Sequence, residues 1–381
     1  FSVGNRFWNN RLGVIVAGSV QNTFRGTERT YNSVKMASGE QAMYISNLHH
    51  RYYSMHDLTT GLHAKVDLSL GSHKLEWYNM YVRTHSKGVR YNNGIGTEYI
   101  GADSYTQDDE MRSLSQTQSI FATNLKGTHH LTDRLTLDWS GIFSQAKEDD
   151  PDRTYITLTN TVSCTANTEG DAVAGSIWNG NNTITKTLPK SAERRFQHNK
   201  DTDWAGYLNL SYHMRLGQHA DALWKAGAQY RRKERSNRYY SYIFNPADIS
   251  QQLDGNGFDQ FAAISWVCKT PYSQASQLNY DSKEHVGGAY AMVTLKSPLG
   301  EVYAGFRAAH TNQIYTMLQH FRNMGQVGEQ SYWDYLPSAA IKWTPNKQMN
   351  VRLSYYRSIN RPGFYEIVPY QIQGEEYQEK G

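Results

Sequence analysis

Several features are scarce in this 381-residue chain, and each scarcity excludes a class of protein. Two cysteines, Cys164 and Cys268, are too few for a disulfide framework or a four-cysteine zinc site. No run of about 18 apolar residues occurs, which excludes a membrane-spanning helix, and the longest apolar stretch covers only residues 12–18. The small net charge of +4, without an extended basic cluster, argues against nucleic-acid binding.

Catalytic and metal-binding motifs are also scarce. The sequence contains no GxSxG nucleophile motif and no phosphate-binding loop, so we predict no enzymatic activity and no cofactor. His49, His50 and His56 lack the spacing and the acidic partner of a metal site. The acidic runs 106–110 and 147–152 lack the calcium-loop pattern, so we expect solvated loop charges there and predict no metal.

Aromatic residues and period-two alternation are what the chain has in abundance. Phe, Trp and Tyr make up 13% of it, including 28 tyrosines. In residues 62–70, for example, Leu and other apolar side chains alternate with His, Lys, Asp and Ser, so one face of a strand is apolar and the other polar. We predict about eleven such strands, near residues 12–21, 62–70, 74–84, 116–127, 135–143, 203–212, 221–234, 285–297, 301–308, 331–344 and 350–355.

The connections between these strands alternate in length. Short turns at 71–74, 129–134, 216–221, 297–300 and 344–348 separate long segments at 22–61, 85–115, 147–200, 235–283 and 313–330. Short periplasmic turns and long extracellular loops alternate in this way in outer-membrane barrels, and aromatic residues collect near the predicted strand ends as in their girdles. The fold class we predict is therefore all-β, a transmembrane antiparallel up-and-down β-barrel.

The alternation also assigns faces. We predict that the polar members of the strands face a wet lumen: Asp67, Asp138, Asn209, Glu301, Arg307 and Arg352. Their apolar neighbours are predicted to face lipid: Leu68, Leu137, Leu210, Phe306 and Leu353.

The segment YWDYLPSAAIKWTPNKQMNVRLSYYRSINRPGFYEIVPY, residues 332–370, resembles TonB-dependent outer-membrane receptors of the Bacteroidetes type. The resemblance lies in an LPS strand, a short turn, an LSY strand and an RP break: Leu336, Pro337, Ser338, Leu353, Ser354, Tyr355, Arg361 and Pro362. Residues 1–26 are similar to another strand–turn–strand unit of that family.

The resemblance implies a transporter in the outer membrane of a Gram-negative bacterium, which imports a nutrient ligand such as a peptide, glycan or metal chelate. It implies a barrel of about 22 strands, of which residues 1–381 would form part, with a plug and further strands elsewhere in the parent polypeptide. Implied partners are the TonB complex acting through the plug, outer-membrane lipid and a surface lipoprotein that caps the barrel. A passive porin or an adhesin-like barrel without a plug is the alternative, and an outer-membrane hydrolase is less favoured.

Two local predictions concern the long-loop side. Proline has no backbone N–H, so the strand that contains residues 351–355 must end or bend before the step Arg361-Pro362-Gly363, which we expect to open an extracellular loop. Cys164 and Cys268 both fall in long segments on that side, in an oxidising compartment, so either a disulfide between the two loops or two free thiols is open.

Overall fold

A computed structural model describes residues 1–36, 43–96, 104–163, 183–253, 261–270, 278–318, 326–346, 348–369, 371–373 and 378–380. Among these residues, no helix has both the length and the apolar character that a membrane crossing requires. Strands dominate the described chain, and its two short helical segments are a 3-10 helix at Phe261–Ala263 and α1 at Phe364–Ile367.

The strands, in chain order, are β1 Ser2–Phe7, β2 Leu12–Met36, β3 Met43–Leu70, β4 His73–Gly96, β5 Ser104–His130, β6 Leu135–Ser163, β7 Thr183–Leu216, β8 Ala220–Pro246, β9 Trp266–Thr270, β10 Tyr280–Ser297, β11 Gly300–Met317, β12 Val327–Asn346, β13 Met349–Tyr356, β14 Gln371–Gln373 and β15 Gln378–Lys380. The first thirteen form one sheet, and β14 pairs with β15 in a separate hairpin.

The large sheet is an antiparallel meander, which confirms the predicted fold class. Its strands follow one another in the order β1 to β8 and then β10 to β13, while β9 pairs with β8 outside this path. The predicted count of about eleven is low by two: β9 was not predicted, and β1 was not counted, although the resemblance of residues 1–26 implied a strand–turn–strand unit there. The short turns lie where the sequence placed them, and Gly71 and Gly217 adopt the positive φ angles that tight turns require.

The long segments differ from their prediction as loops, because strand structure continues through most of them. β2 and β3, for example, remain paired from Leu12↔Leu68 to Met36↔Met43. In these extensions strict alternation of polarity is absent, and buried apolar residues such as Ile156, Leu158 and Ala192 form a local cluster. The backbone ladder nevertheless continues to satisfy its own hydrogen bonds. Alternation therefore marks the part of each strand that needs one apolar face and misses the extension beyond it.

In this register the predicted apolar residues of the strands share one face of the sheet, and their polar neighbours share the other. We call the face that carries Leu68, Leu137, Leu210, Phe306 and Leu353 the apolar face, and the opposite one the polar face. The apolar face is the more exposed: the side chains of Trp204, Phe306 and Leu353 are 56%, 51% and 72% accessible. From residue 223 to 233 in β8 and from 327 to 336 in β12, the residues of the polar face are more shielded than their apolar neighbours, the reverse of the usual arrangement in a water-soluble sheet.

After β13 the chain turns back onto the polar face. The backbone N–H of Arg357 donates to the carbonyl of Pro337 at 3.0 Å, and the strand ends there, as predicted from the Pro-Gly step. We call residues 357–369 the return segment. Its Phe364 and Val368 are buried with Leu278, Tyr280 and Met317 in a small hydrophobic cluster.

Candidate functional site: the polar face of the sheet

The six predicted polar residues share the polar face, although they come from five strands and the β3 position lies far from the others. Asp138 and Asn209 stand directly opposite one another, and Asn209, Gly227, Tyr290 and Arg307 follow in one row across four strands. The carboxylate of Asp138 accepts a hydrogen bond from Thr128 Oγ1 at 2.7 Å. Near the short turns, Asp67 pairs with Arg6 at 2.9 Å and Glu301 with Lys296 at 3.7 Å.

Arg352 lies at the same short-turn end of the polar face, opposite Lys342 on β12. The two cations are directly opposed, and like charges in this position weaken a strand pair unless water or a counter-ion separates them. Both side chains are exposed, so solvent screens them. This part of the polar face is therefore suited to contact with water.

An ionic ladder joins β7 to β8 toward the long-loop side. The guanidinium of Arg231 donates through Nε to both carboxylate oxygens of Asp203, at 3.1 and 2.9 Å. Arg235 binds Asp201 through two hydrogen bonds of 2.6 Å, and Lys233 Nζ lies 3.9 Å from the same carboxylate. Two-point arginine–carboxylate contacts fix both partners in direction, so these side chains form a rigid wall.

The sequence pattern did not predict this ladder, because the four basic residues between positions 231 and 235 resemble a single basic patch. The strand period divides them: Arg231, Lys233 and Arg235 point to the polar face, whereas Arg232 pairs with Glu234 on the other face at 2.5 Å. The signal that identifies the ladder is the match in spacing between the basic residues at every second position and Asp201 and Asp203. Reading it requires the β7–β8 register.

Glutamine side chains extend the polar network to the return segment. Gln313, almost fully buried, donates through Nε2 to Glu284 Oε2 at 2.7 Å and to the carbonyl of Pro362 at 3.0 Å. Its Oε1 accepts a hydrogen bond from Gln330 Nε2 at 2.5 Å. The Pro362 carbonyl is thereby held against the wall formed by β10, β11 and β12.

The arginine before that proline is held as well. Arg361 donates through Nε to Thr311 Oγ1 at 2.8 Å, and its guanidinium lies 3.8 Å from Asp334. Thr311 is fully buried under this contact. The predicted family-motif pair Arg361 and Pro362 thus contacts the polar face directly, whereas the sequence predicted only that an extracellular loop begins at this point.

Phe364 completes the contact of the return segment with the ionic ladder. The ammonium of Lys233 and the guanidinium of Arg235 lie 5.3 and 5.9 Å from the centre of its ring, within cation–π range. The first turn of α1 is closed by the Glu366 carboxylate, which accepts a hydrogen bond from the Gly363 backbone N–H at 2.7 Å. The motif residues Leu336, Pro337 and Ser338 belong to β12 beneath this segment, and Leu353, Ser354 and Tyr355 belong to β13.

A second cluster lies further toward the long-loop end of β6, β7 and β8. Arg195 binds Glu193 through two hydrogen bonds of 2.8 Å, and its guanidinium stacks over the ring of Tyr155 at 4.3 Å. Burial beside this cluster raises the pKa of Tyr239 to about 12. Asp150, 2% exposed, pairs with Arg153 at 2.6 Å, but burial outweighs this pairing and raises the pKa of Asp150 above its ordinary value.

The histidines and acidic runs lie in strands and not in loops. His49 points to the polar face, whereas His50 and His56 point to the other face, so the backbone separates them. His50 pairs with Glu28 at 2.6 Å, and His56 stacks on Phe24 at 4.2 Å. Asp108 binds Lys190 at 2.5 Å on β7, so its charge is paired within the sheet.

Only one of the two cysteines lies within the described residues. Cys268 lies exposed on β9, at the long-loop end of the sheet, as predicted. Cys164 lies outside the described residues, so a bridge between the two stays a prediction.

Comparison with known protein families identifies the family of this chain. The outer membrane protein beta-barrel family matches residues 157–380, well over half of the chain, and the chain belongs to this family. Its location is the outer membrane of a Gram-negative bacterium, where lipid surrounds the barrel. A comparison with curated proteins found no match.

Proposed function

We propose that the polar face lines the passage of a TonB-dependent transporter, which imports a nutrient ligand such as a peptide, a glycan or a metal chelate. The observation that carries this proposal is the return segment. The return segment binds side chains of the polar face through Arg361, Pro362 and Phe364. It therefore occupies space that an open pore would leave to water. The resemblance of residues 332–370 to TonB-dependent receptors is the second support.

The polar face suits a lumen wall for two physical reasons. Along most of β8 and β12 its side chains are more shielded than those of the apolar face, which is expected where side chains converge on the inside of a curved sheet. Its charges are mostly paired across strands, as in the ladder of Asp201 and Asp203 with Arg235 and Arg231. A membrane barrel of this kind has an apolar outer band and a polar interior.

The barrel we propose contains more strands than this sheet. In the described residues, β1 and β13 each have one neighbouring strand and do not pair with each other. An unpaired strand edge in a bilayer leaves backbone groups without partners at several kcal/mol each, so we propose that further strands of a longer polypeptide close a barrel of about 22 strands. The intact mass of the source protein tests this: a mature chain near 43.6 kDa would contradict it.

A passive porin is the second candidate, because a polar wall with paired charges also suits a permanently open channel. Two measurements on the intact purified protein separate the functions. A TonB-dependent transporter is expected to show no steady conductance in a planar bilayer and to bind the periplasmic domain of TonB. Steady conductance without TonB binding would identify a porin and contradict the proposed transporter.

A further inference from the structure

The apolar face has a recess between β5 and β8, at the level where the outward side chains of β8 change from apolar to charged, between Tyr230 and Arg232. Gly141 and Gly206 stand directly opposite one another in β6 and β7, and a Cβ atom on either would meet no atom within 4 Å. Leu125, Phe143, Trp204 and Tyr230 surround the two glycines, and the recess encloses about 390 Å³. On the same face Gly287 stands directly opposite Tyr230, and a Cβ atom there would also meet no atom within 4 Å, so open space lies on both sides of the Tyr230 ring.

Two lysines lie beyond the recess on the same face. Lys147 and Lys200 stand directly opposite one another, two outward positions further from the short turns than Phe143 and Trp204, whose rings are 4.3 Å apart. Both lysines are exposed. Like charges in directly opposed positions destabilise a strand pair, so an anion between them would relieve this repulsion.

The nearest outward-facing carboxylates are occupied by other partners. Asp149 pairs with His198 at 2.5 Å, and Glu234 pairs with Arg232 at 2.5 Å. Across the described part of the chain, neither Lys147 nor Lys200 has a carboxylate oxygen within 4.0 Å of its ammonium group. The pair is therefore a site of uncompensated positive charge directly beyond an aromatic rim.

The level of this site in the membrane follows from the outward side chains of β8. They are apolar from Ala222 to Tyr230 and polar or charged from Arg232 to Arg238. At about 3.4 Å per residue and a tilt of about 40°, this apolar stretch accounts for about 20 Å of height, close to the apolar band of an outer-membrane barrel. The lysines lie past this band on the long-loop side, which is the outer leaflet.

We propose that this surface binds a phosphorylated, multiply acylated glycolipid of the outer leaflet, of the lipid A class. The phosphate lies between Lys147 and Lys200, whose flexible stems reach toward the headgroup level. One acyl chain lies in the recess over Gly141 and Gly206, against the ring of Trp204. The complementarity of the site to one amphipathic molecule rests on the order of its parts: an apolar recess, an aromatic rim and then a pair of cations.

The test uses the intact outer-membrane protein, extracted in mild detergent and examined by native mass spectrometry with purified lipid A. Two variants remove one half of the site each: Lys147→Gln combined with Lys200→Gln, and Gly206→Leu, which fills the recess. Matched controls are Lys87→Gln, an exposed lysine on β4, and Gly26→Leu, an exposed glycine on the same face of β2 whose Cβ would meet only the Tyr53 carbonyl, at 3.8 Å. Heat-modifiable migration in gels verifies that every variant is folded.

The lysine variant is expected to lower lipid A occupancy by about tenfold for each charge-assisted hydrogen bond that the substitution removes. Gly206→Leu is expected to lower the occupancy as well, whereas the two controls bind as the unaltered protein does. Unchanged occupancy in the lysine variant would overturn the proposal, as would equal binding of lipid A from which the phosphates have been removed. Binding of phosphatidylglycerol in preference to lipid A would show that the occupant is a phospholipid, which would overturn the assignment to a glycolipid.

Discussion

The hydroxyl of Tyr290 on β10 donates a hydrogen bond to the amide oxygen of Asn209 on β7 at 2.8 Å, although β8 lies between these two strands. The contact crosses Gly227, the β8 residue that stands opposite both partners. A Cβ atom at position 227 would lie 2.5 Å from the Asn209 oxygen and 2.6 Å from the Tyr290 ring. The glycine is thus required by a close approach of two side chains over the backbone.

Replacing Gly227 by alanine is therefore expected to break this contact. The added methyl group also meets the backbone oxygen of Leu208 at 2.7 Å, which cannot rotate away, and overpacking of this kind costs about 1–3 kcal/mol. Urea unfolding of the purified protein measures the loss. Gly287→Ala is the control, since nothing lies within 4 Å of its added atom, and equal stability of the two variants would contradict the prediction.

The assignment of the two faces is tested by arginine at adjacent positions of β6. Leu137 lies on the apolar face, and Thr136 lies on the polar face beside it. Leu137→Arg is expected to cost about 2–4 kcal/mol if it lies near the bilayer midplane, whereas Thr136→Arg removes only an exposed hydrogen bond to His130. Folding measured in lipid vesicles compares them, and a larger cost at Thr136 would reverse the assignment of lumen and lipid.

The return segment is expected to restrict the passage. Phe364→Ala removes the ring that packs with Tyr280 and Met317 and faces Lys233 and Arg235; loss of a buried phenylalanine costs about 3–5 kcal/mol. Because the segment loses this anchor, we expect greater entry of bulky antibiotics through the variant in whole cells. Phe364→Leu, which keeps an apolar anchor, is the control. Unchanged antibiotic entry in both variants would contradict the prediction that the return segment restricts the passage.

Asp150 is expected to make stability depend on pH. Burial raises its pKa in the folded protein above the ordinary value of 3.8, so its contribution to stability is fully present below about pH 3.8 and is lost as pH rises through the folded-state pKa. Relative to Asp150→Asn, the unaltered protein should therefore gain local stability as pH falls. Hydrogen exchange of the β6 amides around this residue, at a series of pH values, measures the difference, and a gain with rising pH would contradict the assigned direction.

The pair Cys164 and Cys268 gives a chemical test of the long-loop side. If the two form a disulfide, a thiol reagent should label neither position in the unreduced protein and both after reduction. Cys268 is exposed, so a free thiol there is open to the reagent. Labelling of both positions without reduction would remove the bridge.

The amino-acid sequence by itself determined the all-β class, the short turns and the separation of the two faces. Period-two alternation carries this information because a bilayer on one side and polar groups on the other impose opposite demands on neighbouring residues of one strand. Leu137 and Asp138, for example, were assigned to opposite faces before any pairing was known, and the register of β5, β6 and β7 keeps them there.

Only the tertiary structure decided what depends on register and on contacts between distant segments. The strands continue past residue 21 in β2 and past residue 143 in β6 because ladder hydrogen bonds persist where alternation has ended. The ladder between Asp201 and Arg235, the contact of Tyr290 with Asn209 over Gly227, and the packing of Phe364 on the polar face each join residues 34 to 131 positions apart. Sequence pattern reports the environment of a residue along its own strand, whereas these contacts are set by which residues of other strands stand beside it.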